Sequence, residues 1–371
     1  MSELLYYKDA YLKEVEAEVV EIREGKVVLD KTIFYPECGG QPGDRGSFGE
    51  WRIVDTKKDK DGTPLHVIEG ELPAVGTKGL LKLDWAHRYF YMKEHTAQHL
   101  LSALLYHVYG IGTVAVHQGE EILTIETDKS EIDDEVLLSI EERAIDEIIN
   151  SHSVYQVDMD RKEAENLNMR RSIKVDDESV KVVFISDLDA VACGGVHVAS
   201  TSEIKEICYR GKEQTRGHVR TIWSVGDKAR EYRRENEKAV KECGKLLSAD
   251  SRSLTSVLEK TLSESVESKR EIRELKKKVL EGELKRKSES PLVFESSVSI
   301  EEAPEVVEKF SNGRKVFILD GTNKKNFLFF GKKDDFERIK SECTLKGGGR
   351  EPLFRGTMSD IDLERIREIL S

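Results

Sequence analysis

The chain has 371 residues, 59 of them Lys or Arg and 71 Asp or Glu, for a formal charge of −12 with neutral histidines. This length exceeds what one hydrophobic core usually serves, and the acidic surplus excludes a uniformly basic nucleic-acid surface, so any contact with phosphates has to be local. The first residues lack a signal-peptide succession, no apolar run approaches eighteen residues, and the five cysteines are scattered. Together these features predict a soluble, cytoplasmic protein with reduced thiols and no membrane partner.

Residues 1–85 carry short alternating runs punctuated by Gly and Pro, which predict a β-barrel-like N-terminal domain. Over 86–225, helical spacing at 91–109 and 133–150 alternates with strand-like runs such as 181–186, predicting an α/β domain. From 226 to 290 apolar residues step by three and four through charged surroundings, broken by Ser248 to Ser253. That pattern predicts a helical hairpin or coiled coil. Pro291 ends it, and 292–371 reads as a small C-terminal α/β domain with strands near 315–319 and 326–330 and a closing helix over 360–370. The fold class expected is thus α+β and multidomain.

Two pairs of metal-type ligands stand out. His95 and His99 are spaced i, i+4 on a predicted helix, nearly opposite the stripe formed by Ala97, Leu100, Leu101, Leu104, Leu105 and Val108, so they are expected to face a cleft or solvent. Cys193 and His197 flank two glycines that permit a tight turn. Each pair alone fits unrelated surface histidines or a buried cysteine equally well. Together they form a tetrahedral set of one thiolate and three imidazoles, with zinc preferred on ligand type, one ion per chain. A structural zinc and a functional one both remain open at this point.

A third segment, TIFYPECGGQPGDRG at 32–46, crowds glycines around one amide, Gln41. It reads either as a loop whose backbone amides approach a ligand or as a decorated turn. Further on, Lys346 and Arg350 bracket Gly347, Gly348 and Gly349, a candidate flexible loop for phosphate or sugar contact.

The order and separation of TIFYPECGGQPGDRG, HTAQH at 95–99 and CGGVH at 193–197 resemble the editing region of alanyl-tRNA synthetases and the free-standing AlaX editing proteins. The helical segment and the terminal LKGGGREPLFRG resemble the C-terminal domain of the same families, which points to the long AlaX subtype. The resemblance implies an aminoacyl-tRNA deacylase, a carboxylic ester hydrolase acting in trans on tRNA(Ala) mischarged with serine or glycine. It implies zinc ligation by His95, His99, Cys193 and His197, recognition of the serine hydroxyl by Thr32, and substrate binding by Gly39, Gly40 and Gln41. It also implies tRNA contact through 346–350 and a homodimer through the C-terminal region, although packing of the two helices within one chain uses the apolar seam equally well. Cys38, Gln98 and Val196 depart from the commonest family pattern. Two alternatives stay open: the editing and C-terminal part of an alanyl-tRNA synthetase, and a non-catalytic tRNA-binding scaffold with structural zinc. With four protein ligands, the sequence leaves it undecided whether the ion activates water or positions the substrate, and it offers no clear general base.

Overall fold

The computed structural model describes residues 2–167, 169–173, 178–359 and 362–371. They form two compact units, residues 1–240 and 241–371.

In the first unit, strands β1 (Glu14–Arg23), β2 (Lys26–Leu29), β3 (Gly46–Phe48), β4 (Trp51–Lys58), β5 (Pro64–Ile68) and β6 (Lys78–Leu83) close a six-stranded barrel in the order β1-β2-β5-β4-β3-β6. The alternation read in the sequence has its origin here. Ala17, Val19, Val27, Leu29, Phe48, Ile53, Leu81 and Leu83 point inward and pack with Ile33 and Phe34, while the intervening charged residues face out. The glycine-rich segment spans the gap between β2 and β3. It folds back on itself through paired backbone bonds between Cys38 and Gln41. The two residues at the tip, Gly39 and Gly40, have φ of 62° and 89°, the left-handed pair that a tight two-residue turn requires and that side chains resist.

Helix α1 (Trp85–Tyr109) follows the barrel. The Asp84 carboxylate caps it by accepting from the His87 amide, and Gly110 ends it in the left-handed region. Its apolar stripe packs on strands β7 (Thr113–Gln118) and β8 (Leu123–Thr127), helix α2 (Asp134–Asn150) and their neighbours, with Leu123, Ile125, Ile140 and Trp223 in one cluster. Strands β9 (Val154–Asp160), β10 (Ser179–Ile185) and β11 (Asp189–Ala192) form an antiparallel three-stranded sheet, and β12 (Ile207–Thr215) and β13 (His218–Val225) complete a four-stranded sheet in the order β12-β13-β8-β7.

One expectation for α1 changes and another narrows. Every residue from Tyr91 to Leu105 is buried, including His95 and His99, because Met92 on the far side packs with Tyr6, Tyr35, Val196 and Val198. Of the cleft and the solvent expected for the two histidines, the structure shows the cleft: both line a cavity. Val108, expected in the buried stripe, is exposed, since the covering elements stop short of the helix end.

Helix α3 (Asp227–Leu247) crosses from the first unit into the second, where α4 (Leu254–Arg286) follows. The second unit is built on a sheet of β14 (Leu292–Glu295), β15 (Val316–Leu319), β16 (Asn326–Phe330), β17 (Leu345–Arg350) and β18 (Leu353–Met358), in the order β14-β15-β16-β18-β17. Leu280 and Leu284 of α4 and helix α5 (Ala303–Phe310) cover one face; helices α6 (Lys333–Glu342) and α7 (Leu363–Leu370) cover the other, with Phe327, Phe329, Phe336 and Phe354 at the centre. Positions 360 and 361 of the expected closing helix lie outside the described residues. The earlier apolar positions of α4, Leu258, Leu262, Val266, Ile272, Leu275 and Val279, remain exposed.

The segment 346–350 is not a loop. It is the outer edge strand β17, hydrogen-bonded to β18 with Gly347 opposite Gly356 and Gly349 opposite Phe354. Three successive glycines give no alternating side-chain signal, so backbone pairing alone makes the strand. Lys346 and Arg350 are exposed and have no ion pair among the described residues.

Candidate metal centre

The two distant ligand pairs converge. The donor atoms of His95, His99, Cys193 and His197 all lie within 4.8 Å of one another. The Cys193 Sγ is 3.5 Å from His95 Nε2 and 3.6 Å from His197 Nε2. Bonds of about 2.3 Å to sulfur and about 2.05 Å to nitrogen at tetrahedral angles give an S···N edge of about 3.6 Å, so this spacing fits an ion at the centre. Burial pulls the His95 pKa down to about 3 and holds those of His99 and His197 well below the usual imidazole range, so all three rings are neutral, the form that ligates. Burial pushes the Cys193 thiol up to about 11, against a smaller opposing effect of the Gly195 amide. A divalent cation would reverse that preference by stabilising the thiolate.

Ligands of both pairs are held from behind, by residues to which local sequence spacing assigns no such part. Gln41 is buried, and its Oε1 lies 2.8 Å from His95 Nδ1 and 3.4 Å from the Val196 amide. With Nδ1–H donating to that oxygen, His95 presents Nε2 to the cluster. The Gln41 Nε2 has no partner among the described residues. Thr96 does the same for His197: its Oγ1 lies 3.2 Å from His197 Nδ1, accepts from the Val198 amide and donates to the Met92 carbonyl. The signal for Thr96 was its place beside His95 inside the motif. The His99 Nδ1 is buried without a partner among the described residues.

The CGGVH turn is fixed equally closely. Gln156 Nε2 donates to the Cys193 carbonyl, Tyr7 Oη donates to that of Gly194, and the Gly195 amide donates to the Cys193 sulfur at 3.3 Å. Gly195 is also a spatial necessity: a Cβ there would lie 2.1 Å from His95 Cε1. Further back, Asp44 of the glycine-rich segment and Arg88 of α1 form a fully buried ion pair, and Arg88 also donates to the Ala10 and Ile33 carbonyls. That pair locks the loop to the helix that carries His95 and His99.

A cavity of about 630 Å³ opens over the cluster, lined among others by His95, Gln98, His99, Gly39, Cys38 and Cys193. Of the cations around it, Arg170 is paired with Asp189 and Lys181 with Asp158. Arg171 is half-buried and has no ion-pair or hydrogen-bond partner among the described residues. Gly39 reaches the cavity, whereas Gly40 packs against Val116 and Gln41 is turned toward His95.

Thr32 does not reach it. The residue is fully buried, and its hydroxyl lies 2.8 Å from His66 Nε2 and accepts from the Phe34 amide. The other ring nitrogen of His66 faces the Val27 carbonyl, so His66 Nδ1 donates there and Nε2 accepts from Thr32. Inside the barrel, the hydroxyl's donor goes to His66 and one of its two lone pairs accepts from the Phe34 amide.

Two family models match the chain, over stretches that contain the glycine-rich segment and the CGGVH turn. Residues 5–87 match the family model of class II (A) tRNA synthetases, and residues 180–220 match the threonyl and alanyl tRNA synthetase second additional domain. The chain is 39% identical over 214 residues to the alanyl-tRNA editing protein AlaX-L of Pyrococcus horikoshii, covering 55% of this chain and 53% of that protein. It is 35% identical over 210 residues to AlaX-M of the same organism, covering 56% of this chain and 89% of that protein. The chain belongs to the AlaX-like alanyl-tRNA editing proteins. It is also similar to the alanine–tRNA ligase of Korarchaeum cryptofilum, 30% identical over 338 residues, which is 86% of this chain and 38% of the ligase. The chain thus spans about half of AlaX-L and less than half of the ligase. Helices 85–109, 227–247 and 254–286 are long, but none is apolar enough to cross a membrane.

Proposed function

We propose that this chain is a zinc-dependent hydrolase that deacylates tRNA(Ala) mischarged with serine or glycine. The observation that carries the reading is the position of the cluster of one cysteine and three histidines: His95, His99 and Cys193, with the flanking Gln98, line an open cavity, where a purely structural ion would be sealed. Membership of the editing family supplies the substrate class.

An aminoacyl ester is already activated, so positioning accounts for much of the rate required. When bound, zinc supplies Lewis acidity that polarises the ester carbonyl or orients the amino acid. The chain's own residues do the rest. His95, His99, Cys193 and His197 hold the ion, and Gln41 and Thr96 fix the tautomers of two of them. The tip at Gly39 brings backbone close to the bound ester, and Arg171 offers a free guanidinium to a backbone phosphate of the acceptor end. In the second unit, Lys346 and Arg350 on an exposed sheet edge supply local positive charge for tRNA, and the exposed apolar stripe of α4 supplies a surface for a homodimer.

The similarity to a ligase over 86% of this chain supports a second reading, in which the same chemistry operates as the editing and C-terminal part of an alanyl-tRNA synthetase. The test common to both is deacylation of Ser-tRNA(Ala) by the purified protein, with His95→Ala as the control. Hydrolysis abolished by that substitution is expected. Normal tRNA binding without turnover would instead favour a non-catalytic scaffold.

A further inference from the structure

At the start of α3 the positive end of a long helix meets a buried lysine, Lys93 of α1. We propose that the two form an anion site, separate from the cavity, that takes a phosphate group of the tRNA backbone. The source of that phosphate rests on the editing reading, whereas the demand for an anion comes from the residues at the helix end.

Gly226 precedes α3, and its carbonyl accepts from the Arg230 amide at 3.3 Å. A glycine brings no capping oxygen, so the amides of Asp227, Lys228 and Ala229 have no acceptor among the described residues. Such amides and the helix dipole favour an anion. Where a capping side chain would begin stands Lys93 instead: a Cβ on Gly226 would lie 3.3 Å from its Nζ. Lys93 is 5% exposed, and its ammonium, 5.0 Å from the centre of the Tyr89 ring, has no ion pair or hydrogen bond among the described residues. A cation suits the C-terminal end of a helix. A buried one at the N-terminal end has the wrong sign and calls for a negative group.

The chain's own acids at this end are engaged elsewhere, Asp227 with Arg230 at 3.4 Å, Glu206 with Arg233 at 2.8 Å and Glu121 with Lys228 at 2.8 Å. A second lysine adds to the surplus. Lys205 has φ of 71° and ψ of −53°, with the Glu206 amide donating to the Ile204 carbonyl at 3.0 Å, a γ-turn of the rare, strained hand. That turn borders the site, since the Ile204 carbonyl lies 3.4 Å from the same Cβ position on Gly226. Lys205 is exposed and has no ion pair among the described residues. Lys93 lies two residues before His95, about 200° around α1, and is absent from the cavity lining. A phosphodiester has one negative charge on two free oxygens, which accept from amides and an ammonium together.

The test measures tRNA(Ala) affinity over a salt series for wild type, Lys93→Met and, as a control for net charge, Lys8→Met, whose lysine is exposed and paired with Glu3. Zinc is quantified in each preparation, because His95 is close by. Loss of one phosphate contact lowers the slope of log affinity against log salt by about 0.9. That fall is expected for Lys93→Met at unchanged zinc content and not for Lys8→Met; equal slopes for the three proteins would overturn the proposal. A second arm uses inorganic phosphate alone, comparing melting temperatures in phosphate and in chloride at equal ionic strength. A phosphate-dependent rise lost in Lys93→Met, together with equal tRNA slopes, would replace the tRNA backbone by free phosphate as the source. Should Lys93→Met fold poorly, Gly226→Asp keeps the lysine and fills the site with its own carboxylate. The same fall in slope is expected, and a wild-type slope overturns the assignment. Wild type that shows the slope difference but releases no serine would refute the editing reading and leave the site standing.

Discussion

The two glycines of CGGVH, adjacent in sequence, make opposite demands. A methyl group on Gly195 would sit 2.1 Å from His95 Cε1 and 2.5 Å from His95 Nδ1, where ordinary contact begins near 3.4 Å, so ring and backbone have to separate by about 1.3 Å. Metal–ligand distances tolerate about 0.2 Å. The displacement also pulls Nδ1 from Gln41 Oε1, now 2.8 Å away. Loss of a supporting contact alone lowers metal affinity about 10- to 100-fold, so Gly195→Ala, which displaces a ligand as well, is expected to lower zinc affinity on the order of 100-fold or more. A methyl group on Gly194 meets only Tyr7 Oη, at 3.4 Å, and Gly194→Ala should bind zinc as wild type does. Dialysis of the three proteins against a series of chelator-buffered zinc concentrations, with bound metal read by plasma mass spectrometry, gives the three affinities directly. A Gly195→Ala protein that retains zinc at the same free concentration as wild type would refute the packing argument, as would equal losses for the two substitutions.

Removing one partner of the buried Asp44–Arg88 pair strands the other charge, so Asp44→Ala should lower unfolding free energy by about 3–5 kcal/mol in urea titration; a change below ~1 kcal/mol would contradict the burial. Thr32→Val removes the donor to His66 Nε2 and should cost about 1–3 kcal/mol of stability, lower serine release from Ser-tRNA(Ala) and leave zinc content unchanged; unchanged serine kinetics would remove Thr32 from substrate recognition. Burial lowers the pKa of His66 from 6.5 to about 4. The unfolded chain therefore takes up a proton near pH 6.5 that the folded chain refuses until about pH 4, and stability present above that window declines through it by roughly 3 kcal/mol. Urea midpoints between pH 7 and 4.5 should fall more steeply for wild type than for His66→Leu; parallel curves would show that His66 does not titrate as its burial requires.

The cluster of His95, His99, Cys193 and His197 was legible because two i, i+4 pairs and their residue types form a chemical set whatever lies between them. What holds the ligands was not, since Gln41, Thr96 and Gly195 act through contacts between segments roughly 50 to 150 residues apart, which no local spacing records. The barrel was visible in the alternation that buries Val19, Val27, Leu29 and Leu81. Helix α1 was visible only on one side. Its second buried face is polar, and polar residues read as exposed until Tyr6, Tyr35 and Val196 are found packed beside Met92. The bond between Thr32 and His66 was hidden for a related reason: the two residues lie 34 positions apart and no local spacing joins them. Strand β17 escaped because glycines carry no pattern and the backbone of β18 makes the strand.

The central claim is that the cavity over Cys193 and its histidine partners hydrolyses mischarged tRNA. Its most direct test is the rate of serine release from Ser-tRNA(Ala), set beside Ala-tRNA(Ala), in one preparation whose zinc is quantified before and after chelation. The account predicts about one zinc per chain, rapid release of serine with alanine largely retained, and loss of both zinc and activity together on chelation. Serine release that persists in the metal-free protein, or equal hydrolysis of the two esters, would contradict it.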